Sequence, residues 1–168
     1  MDRPIPNSYW VEPGRFLAGE YPGSEDPDKA AAKVARLQEA GVDFFLDLTE
    51  AGEGGLLPYQ HVIEGTGATY RRFPIADWSC PARHEMSSIL DTIDAAIADG
   101  RTVYVHCWGG IGRTGTVVGC YLVRHGWTAD AALTQIGAWR DGTPDGHRTS
   151  PETPEQKRFV LGWSEKVT

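Results

Sequence analysis

Short β-prone segments that alternate with amphipathic helical stretches predict an α/β fold, with a small mixed, largely parallel sheet flanked by helices. Three observations carry this expectation. Residues 42–48, 68–73 and 102–105 are short runs rich in β-branched, aromatic and other apolar residues. Around them, apolar residues recur at helical spacing, and most of these stretches are closed by a glycine. The length of 168 residues suits one domain spanning residues 1–168, with enough chain to bury a core without metal or disulfide staples.

Asp26-Pro27 opens the first helix, on which Ala30, Val34 and Leu37 share a face, and Gly41 closes it at a position that tolerates a left-handed backbone. Residues 42–48 (VDFFLDL) read as a mostly apolar strand. Residues 49–58 form a glycine-rich loop, with Gly52, Gly54 and Gly55, that can flank a site. A second strand is expected over 68–73. Pro74 and Pro81 bracket a segment that can be neither a helix interior nor a central strand, which makes it a shaped loop. Over 82–99, Met86, Ile89, Leu90, Ile93 and Ile97 keep helical spacing up to Gly100. Thr102-Val103-Tyr104-Val105 is the third strand. Helices are expected over 113–125, ended by Gly126, over 128–141, ended by Gly142, and over 153–167. In the last, Thr153-Pro154-Glu155-Gln156 has the capping-box form with proline in the first turn.

Sixteen Lys and Arg against 23 Asp and Glu leave a net charge of −7. That balance favours solubility and opposes non-specific binding to nucleic acid or anionic lipid, so no nucleic-acid partner is expected. The segment Met1-Asp2-Arg3-Pro4-Ile5-Pro6-Asn7 has no apolar core of signal-peptide type. The longest nearly apolar run, 116–123, falls far short of the roughly 18 residues a membrane span needs. A soluble, cytoplasmic protein without a membrane span is the expectation. Three cysteines do not make a disulfide framework, so each is judged by its local setting.

The segment Val105-His106-Cys107-Trp108-Gly109-Gly110-Ile111-Gly112-Arg113-Thr114-Gly115 runs from the end of a strand into the start of a helix. Its glycines allow backbone N–H groups to converge, and the helix adds free N–H groups and its positive dipole end, which together make an anion cradle. A thiol at the base of such a cradle sits in a positive field that favours thiolate, so Cys107 is the candidate nucleophile. Arg113 can hold two oxygens of a phosphate with its planar fork. Thr114 can donate its hydroxyl to the sulfur. An acid is still needed to protonate a leaving alkoxide or phenoxide, and Asp77 in the proline-bracketed loop is the candidate. Cysteine and arginine six places apart are common by chance. The joint pattern of strand, His-Cys, loop glycines, Arg-Thr-Gly, helix and a separate Pro-Ile-x-Asp loop is far more specific. No metal or cofactor is called for.

This pattern resembles the signature loop of the cysteine-dependent protein tyrosine phosphatase superfamily. The short length and the Pro74-Ile75-Ala76-Asp77 loop are most similar to its dual-specificity and kinase-associated branch. The resemblance extends from Phe16-Leu17-Ala18-Gly19-Glu20-Tyr21-Pro22-Gly23, which looks like that branch's opening strand and turn, to the last helix. It implies a phosphatase fold of the dual-specificity type and a phosphocysteine formed on Cys107. Phosphate would be bound by Arg113 and the loop residues Trp108, Gly109, Gly110, Ile111 and Gly112. Asp77 would serve first as acid and then as base for water, and His106 would tune the thiol through hydrogen bonding. Larger tyrosine-specific members carry two late glutamines four residues apart, one of which orients water. Glu152 and Gln156 stand in the matching places here, so the first glutamine is missing, and Gln156 is a candidate for water positioning.

Each residue also has a plainer reading. Asp77 suits a turn, His106 suits a buried anchor, and Gln156 suits a helix cap. Cys80, three residues after Asp77, is an inert loop cysteine or a redox partner of Cys107, and Cys120 is core packing. Trp78 and Trp108 either stack on a substrate ring or pack a loop. Arg140, His147 and Arg148 either reach the cleft rim or, by default, read as solvated surface charge. The expected substrates are phosphorylated proteins or peptides. Phosphoinositides or inositol phosphates are the alternative, although the loop interior carries no Lys or Arg to meet further phosphates. A phosphoprotein-binding pseudophosphatase is the alternative of another class, and a sulfurtransferase fits the chemistry less well.

Overall fold

The structure, a computed structural model, describes residues 1–165. Tyr9, Trp10 and Val11, all good strand formers, lie in β1 (Ser8–Glu12), which turns at Gly14 and pairs antiparallel with β2 (Phe16–Gly19). Then follow α1 (Pro27–Glu39), β3 (Phe44–Asp47), a 3₁₀ turn over Glu53–Gly55, α2 (Gln60–Ile63) and β4 (Thr69–Arg72). The second half contains α3 (Arg83–Ala98), β5 (Val103–His106), α4 (Arg113–Arg124), α5 (Ala129–Arg140) and α6 (Pro154–Leu161).

The five strands lie in the order β1-β2-β5-β3-β4, and every pairing except β1 with β2 is parallel. This is the mixed, largely parallel sheet that the alternation of elements predicts. Both faces are covered, so consecutive strand residues enter different cores. Phe16, Ala18, Phe44, Leu46, Val103 and Val105 pack with Ile89, Leu90 and Ile93 of α3 and with Val117, Val118 and Tyr121 of α4. Leu17, Phe45 and Tyr104 face the other way, onto Val34 and Leu37 of α1 and Ile63 of α2.

The registers position the site. Gly19 of β2 and Asp47 of β3 are both paired with His106 at the end of β5, so three parallel strands finish at one level. In open α/β sheets ligands bind beyond such carboxyl ends, and here the loops after β2, β3 and β5 converge there.

Three expectations are corrected. β1 was not foreseen, although Tyr9-Trp10-Val11 between Pro6 and Pro13 carries the signal for it. The glycine-rich stretch over 49–58 contains the 3₁₀ turn and is followed by the short α2. The last helix stops at Leu161 rather than 167, because Gly162 caps it and Trp163 turns back into the core, only 5% exposed. The Arg83 guanidinium lies 5.0 Å from the centre of the Trp163 ring. Residues 166 and 167 of the expected helix lie outside the described residues. Among the described residues, no helix is long and apolar enough to cross a membrane.

Candidate active site

Between β5 and α4, residues 107–112 form a loop, four of whose carbonyl groups have hydrogen-bond partners outside it. The Cys107 carbonyl lies 3.2 Å from His106 Nδ1, and the Trp108 carbonyl accepts from the Tyr21 N–H at 2.8 Å. The Ile111 carbonyl accepts from the Ser150 hydroxyl at 2.6 Å. The Gly112 carbonyl accepts from both the N–H and the hydroxyl of Thr116, at 3.0 and 2.8 Å. In a trans peptide the N–H points opposite to the carbonyl. Fixing these four carbonyls outward therefore turns the N–H groups of Trp108, Gly109, Gly112 and Arg113 inward. The helix adds to this cradle, because α1, α5 and α6 begin under the side chains of Asp26, Thr128 and Thr153, whereas α4 begins at Gly112 with no side-chain cap. Its first N–H groups are left for an anion.

Gly110 is what lets the loop sit so close to the sheet. Its φ is +73°, and a Cβ there would lie 2.4 Å from the Gly19 carbonyl carbon and 2.8 Å from the Glu20 nitrogen. Gly109 has no such restriction, since a Cβ would meet only Ile111 side-chain carbons at 3.5 and 3.7 Å.

Arg113 is the largest fully buried side chain, 1% exposed, and it gathers the surrounding loops. Its two terminal nitrogens donate to the two oxygens of Glu53, each at 2.6 Å. One of them also donates to the Ile75 carbonyl at 2.8 Å, and the other lies 3.1 Å from Asp77 Oδ1. Burial opposes the charge on Arg113, but Glu53, Cys107 and Asp77 outweigh it and hold its pKa above the ordinary value. Arg113 thus joins the Glu53 turn, the proline-bracketed loop and the signature segment. Sequence reading missed Glu53, whose only signal was its place in a glycine-rich loop.

A cleft of about 280 Å³ opens over the loop, lined by Asp77, Trp78, Cys107, Trp108, Arg113 and Glu152 among others. Asp77, Cys107, Trp108 and Arg113, all singled out in the sequence, thus line one opening. Trp78 and Trp108 are 62% and 45% exposed, unusual for tryptophan. Trp78 also has a φ of +67°, a strained conformation for a bulky residue, and donates its N–H to Asp77 Oδ1 at 2.9 Å. The Thr114 hydroxyl is buried without a hydrogen-bond partner, which leaves it free to donate to a sulfur or an anion. Glu152 pairs with Arg148 at 2.5 Å in the wall of the cleft.

The remaining candidates stand further back. His106 and Cys107 are consecutive on an extended backbone and so project to opposite faces. His106 Nε2 lies 2.5 Å from the Tyr59 hydroxyl, and its ring packs on Tyr21, Tyr59 and Tyr104. Its contact with Cys107 runs through that residue's carbonyl. Gln156 is fully buried: its Oε1 accepts from the N–H groups of Glu152 and Thr153, and its Nε2 donates to the Ser79 carbonyl at 3.2 Å. It caps α6 and ties the proline-bracketed loop to it. Arg140 is corrected: it is buried, not solvated, and donates to the Arg148 and Asp145 carbonyls at 2.5 and 2.8 Å, fixing the segment that carries Arg148. Burial, followed by the charge of Glu155, pushes the Cys80 thiol up to about 11, so it holds little thiolate at neutral pH. Cys120 is fully buried in the core, as expected.

Behind His106, Asp47 is fully buried. It accepts from the Thr49 N–H and hydroxyl at 2.8 and 2.7 Å and from the Tyr70 hydroxyl at 2.5 Å, with Arg72 at 3.3 Å. Burial would raise its pKa, but His106, Tyr70 and Thr49 outweigh it and hold the carboxyl below the usual range. Burial holds the His106 imidazole below its ordinary 6.5 despite the pull of Asp47, so it stays neutral.

Residues 22–127 match the family model described as "Polymorphic toxin system, DSP-PTPase phosphatase". The chain belongs to the superfamily of cysteine-based protein tyrosine and dual-specificity phosphatases. Protein 067L of Invertebrate iridescent virus 3, assigned to the tyrosine phosphatases, is 29% identical over 157 residues, covering 87% of this chain and 60% of that protein. The phosphatidylglycerophosphate phosphatase PTPMT1 of Arabidopsis thaliana is 36% identical over 142 residues, covering 79% of this chain and 37% of that enzyme. This chain therefore spans less than two thirds of either relative. The crystal structure of Tk-PTP in its active form superposes with a TM-score of 0.76 at 27% identity, covering 96% of this chain and 99% of that one.

Two outcomes follow from this geometry. Gly110→Ala is expected to lower the urea midpoint and abolish phosphate binding, because the left-handed backbone costs about 1–2 kcal/mol and the new methyl meets main chain that cannot move aside. Gly109→Ala should leave both within error; equal effects would contradict the packing described. The neutral His106 gives a pH dependence. Its pKa is lower in the folded protein than in the unfolded chain, so below about 6.5 the unfolded chain takes up the proton first. Stability therefore falls between pH 7 and 5, by at most about 1.4 kcal/mol per unit. His106→Asn should flatten this part of the urea-midpoint profile, and an unchanged slope would assign it to other groups.

Proposed function

We propose that the chain acts as a phosphatase domain that hydrolyses phosphomonoesters of proteins or peptides through a phosphocysteine on Cys107. The observation that carries this is the outward anchoring of the loop carbonyls, which leaves a ring of N–H groups beside a cysteine and a buried arginine. Phosphate dianion sits in that ring with Arg113 on one side. The Cys107 thiolate attacks phosphorus, the P–O bond to the leaving group breaks, and the proton held by Asp77 passes to the departing oxygen. Asp77 suits this part because it lines the cleft together with Cys107, on a loop anchored through Ile75. In the second half, Asp77 takes a proton from the attacking water, the S–P bond breaks, and the Thr114 hydroxyl stabilises the leaving sulfur. Gln156 positions that water only through its hold on the Ser79 loop, since its amide already serves the cap of α6.

A lipid or inositol phosphate reading draws support from the name of the Arabidopsis relative. The cleft supplies little for a second phosphate: its cations among the described residues are Arg113, which is clamped by Glu53, and Arg148, which is paired with Glu152. We favour a phosphoprotein substrate on that ground.

Cys107→Ser is expected to abolish turnover of an aryl phosphate, at least about a thousandfold, while retaining phosphate binding measured by calorimetry. Substantial remaining turnover would remove the phosphocysteine. Asp77→Ala should slow substrates with poor leaving groups most, by about 10²–10⁴-fold, and activated aryl esters least. A loss independent of leaving-group pKa would remove Asp77 from the acid role.

A further inference from the structure

The ring of Trp108 touches more than the cleft. A Cβ placed on Gly54 would lie 2.1 Å from its Cζ3 and 2.3 Å from its Cη2, so the edge of the indole occupies the space a side chain at Gly54 would need. Gly54 directly follows Glu53, the residue that grips both terminal nitrogens of Arg113. Within the turn the Glu50 N–H donates to Glu53 Oε1 at 3.2 Å, but the surrounding glycines add little stiffness. Gly52, Gly54 and Gly55 all have positive φ, at +71°, +54° and +77°, and its internal backbone bonds run from 2.8 to 3.3 Å. Glycines at such positions lose more freedom on ordering than any other residue. Two side-chain contacts tie this turn to the signature loop: the Glu53 carboxylate on Arg113 and the Trp108 indole on Gly54.

We infer that Trp108 is a positioning residue for Arg113, holding the Glu53 carboxylate square to the guanidinium by packing on Gly54. A two-point carboxylate contact fixes the plane of a guanidinium as well as its charge. That plane decides which donors of Arg113 face the cradle. When the indole is removed, the glycine turn loosens, the Glu53 grip weakens, and Asp77, already 3.1 Å from the guanidinium, becomes its chief counter-ion and competes with incoming phosphate. The residue at the first variable position of the loop thus orders an arginine five places on through a segment from a different part of the chain. The inference rests on the proposed role of Arg113 as phosphate ligand.

The test is calorimetric titration of inorganic phosphate into the wild type, W108A, W108F, E53Q and the double variant W108A/E53Q, with KM and kcat for an aryl phosphate measured alongside. W108A and E53Q should each weaken phosphate binding about tenfold, as misplacement of a binding group does. W108F, which keeps an aromatic ring, should lose about threefold or less. The double variant should bind no worse than E53Q alone, because both changes act through one contact. G54A provides a second route: its methyl displaces the indole without deleting it, and the same loss is expected should W108A fail to fold. Unchanged phosphate affinity in W108A and G54A, with only KM raised, would overturn the inference and leave Trp108 as a substrate wall. Additive losses in the double variant would also overturn it. Wild type that binds phosphate but hydrolyses nothing would refute the phosphatase reading alone, and the phosphate titrations would still decide the role of Trp108.

Discussion

The direction of four carbonyl groups decides what this fold can do. Backbone amides are strong dipoles, and a loop with no partners for its carbonyls would turn some of them into the cleft, where they repel anions. Here each is drawn away by a donor from elsewhere: the Tyr21 N–H after β2, the Ser150 hydroxyl before α6, Thr116 in the first turn of α4, and His106 at the end of β5. Two of these anchors, Tyr21 and Ser150, come from distant parts of the chain and meet the loop only when the sheet and helices are assembled, whereas His106 adjoins Cys107 and Thr116 lies one helical turn beyond Gly112. The cradle is therefore in large part a product of tertiary structure, and a ring of donors held by the fold needs no reorganisation when charge develops in it.

A buried guanidinium imposes the second constraint. Removing Arg113 from water is costly unless its donors are paired, and Glu53, Ile75 and Asp77 meet that need. The same contacts draw the Glu53 turn and the proline-bracketed loop against the signature segment. Stability and site geometry are thus one set of interactions, and any change that loosens a loop also disturbs the charge balance of the arginine. A net charge of −7 on the whole chain has little bearing at this scale, because charges beyond about 8 Å are screened by physiological salt.

Much of this was legible in the sequence, and the limits of that legibility are physical. The strands and helices of the sheet's central part announce themselves through β-branched runs, caps and glycine stops, all of them local signals. Cys107, Arg113 and Asp77 could be singled out because loop chemistry restricts what lies beside them. Glu53 could not: it is 60 residues from Arg113 in the chain, and a glutamate among glycines has no pattern of its own. Tyr21, Tyr59 and Ser150 were missed for a related reason, since they act by bonding a carbonyl or a ring nitrogen that any sequence would supply. Arg140 was misread because the default for a lone arginine is the surface, and only the packed loop shows that its guanidinium bonds the Arg148 and Asp145 carbonyls.

The bare start of α4 has a further meaning. Asp, Asn, Ser or Thr at a helix N-cap typically adds about 1 kcal/mol, and this chain uses Asp26, Thr128 and Thr153 to open α1, α5 and α6. At Gly112 it does not, and the space a side chain would need is filled by the Gln156 amide, at 2.9 and 3.0 Å, and by Glu152. The position is closed to the substitutions that ordinary selection for robustness would favour. On the proposed function, an oxyanion bound there would take the place of the missing cap, so ligand and fold would share one interaction and phosphate would raise the folded population by mass action.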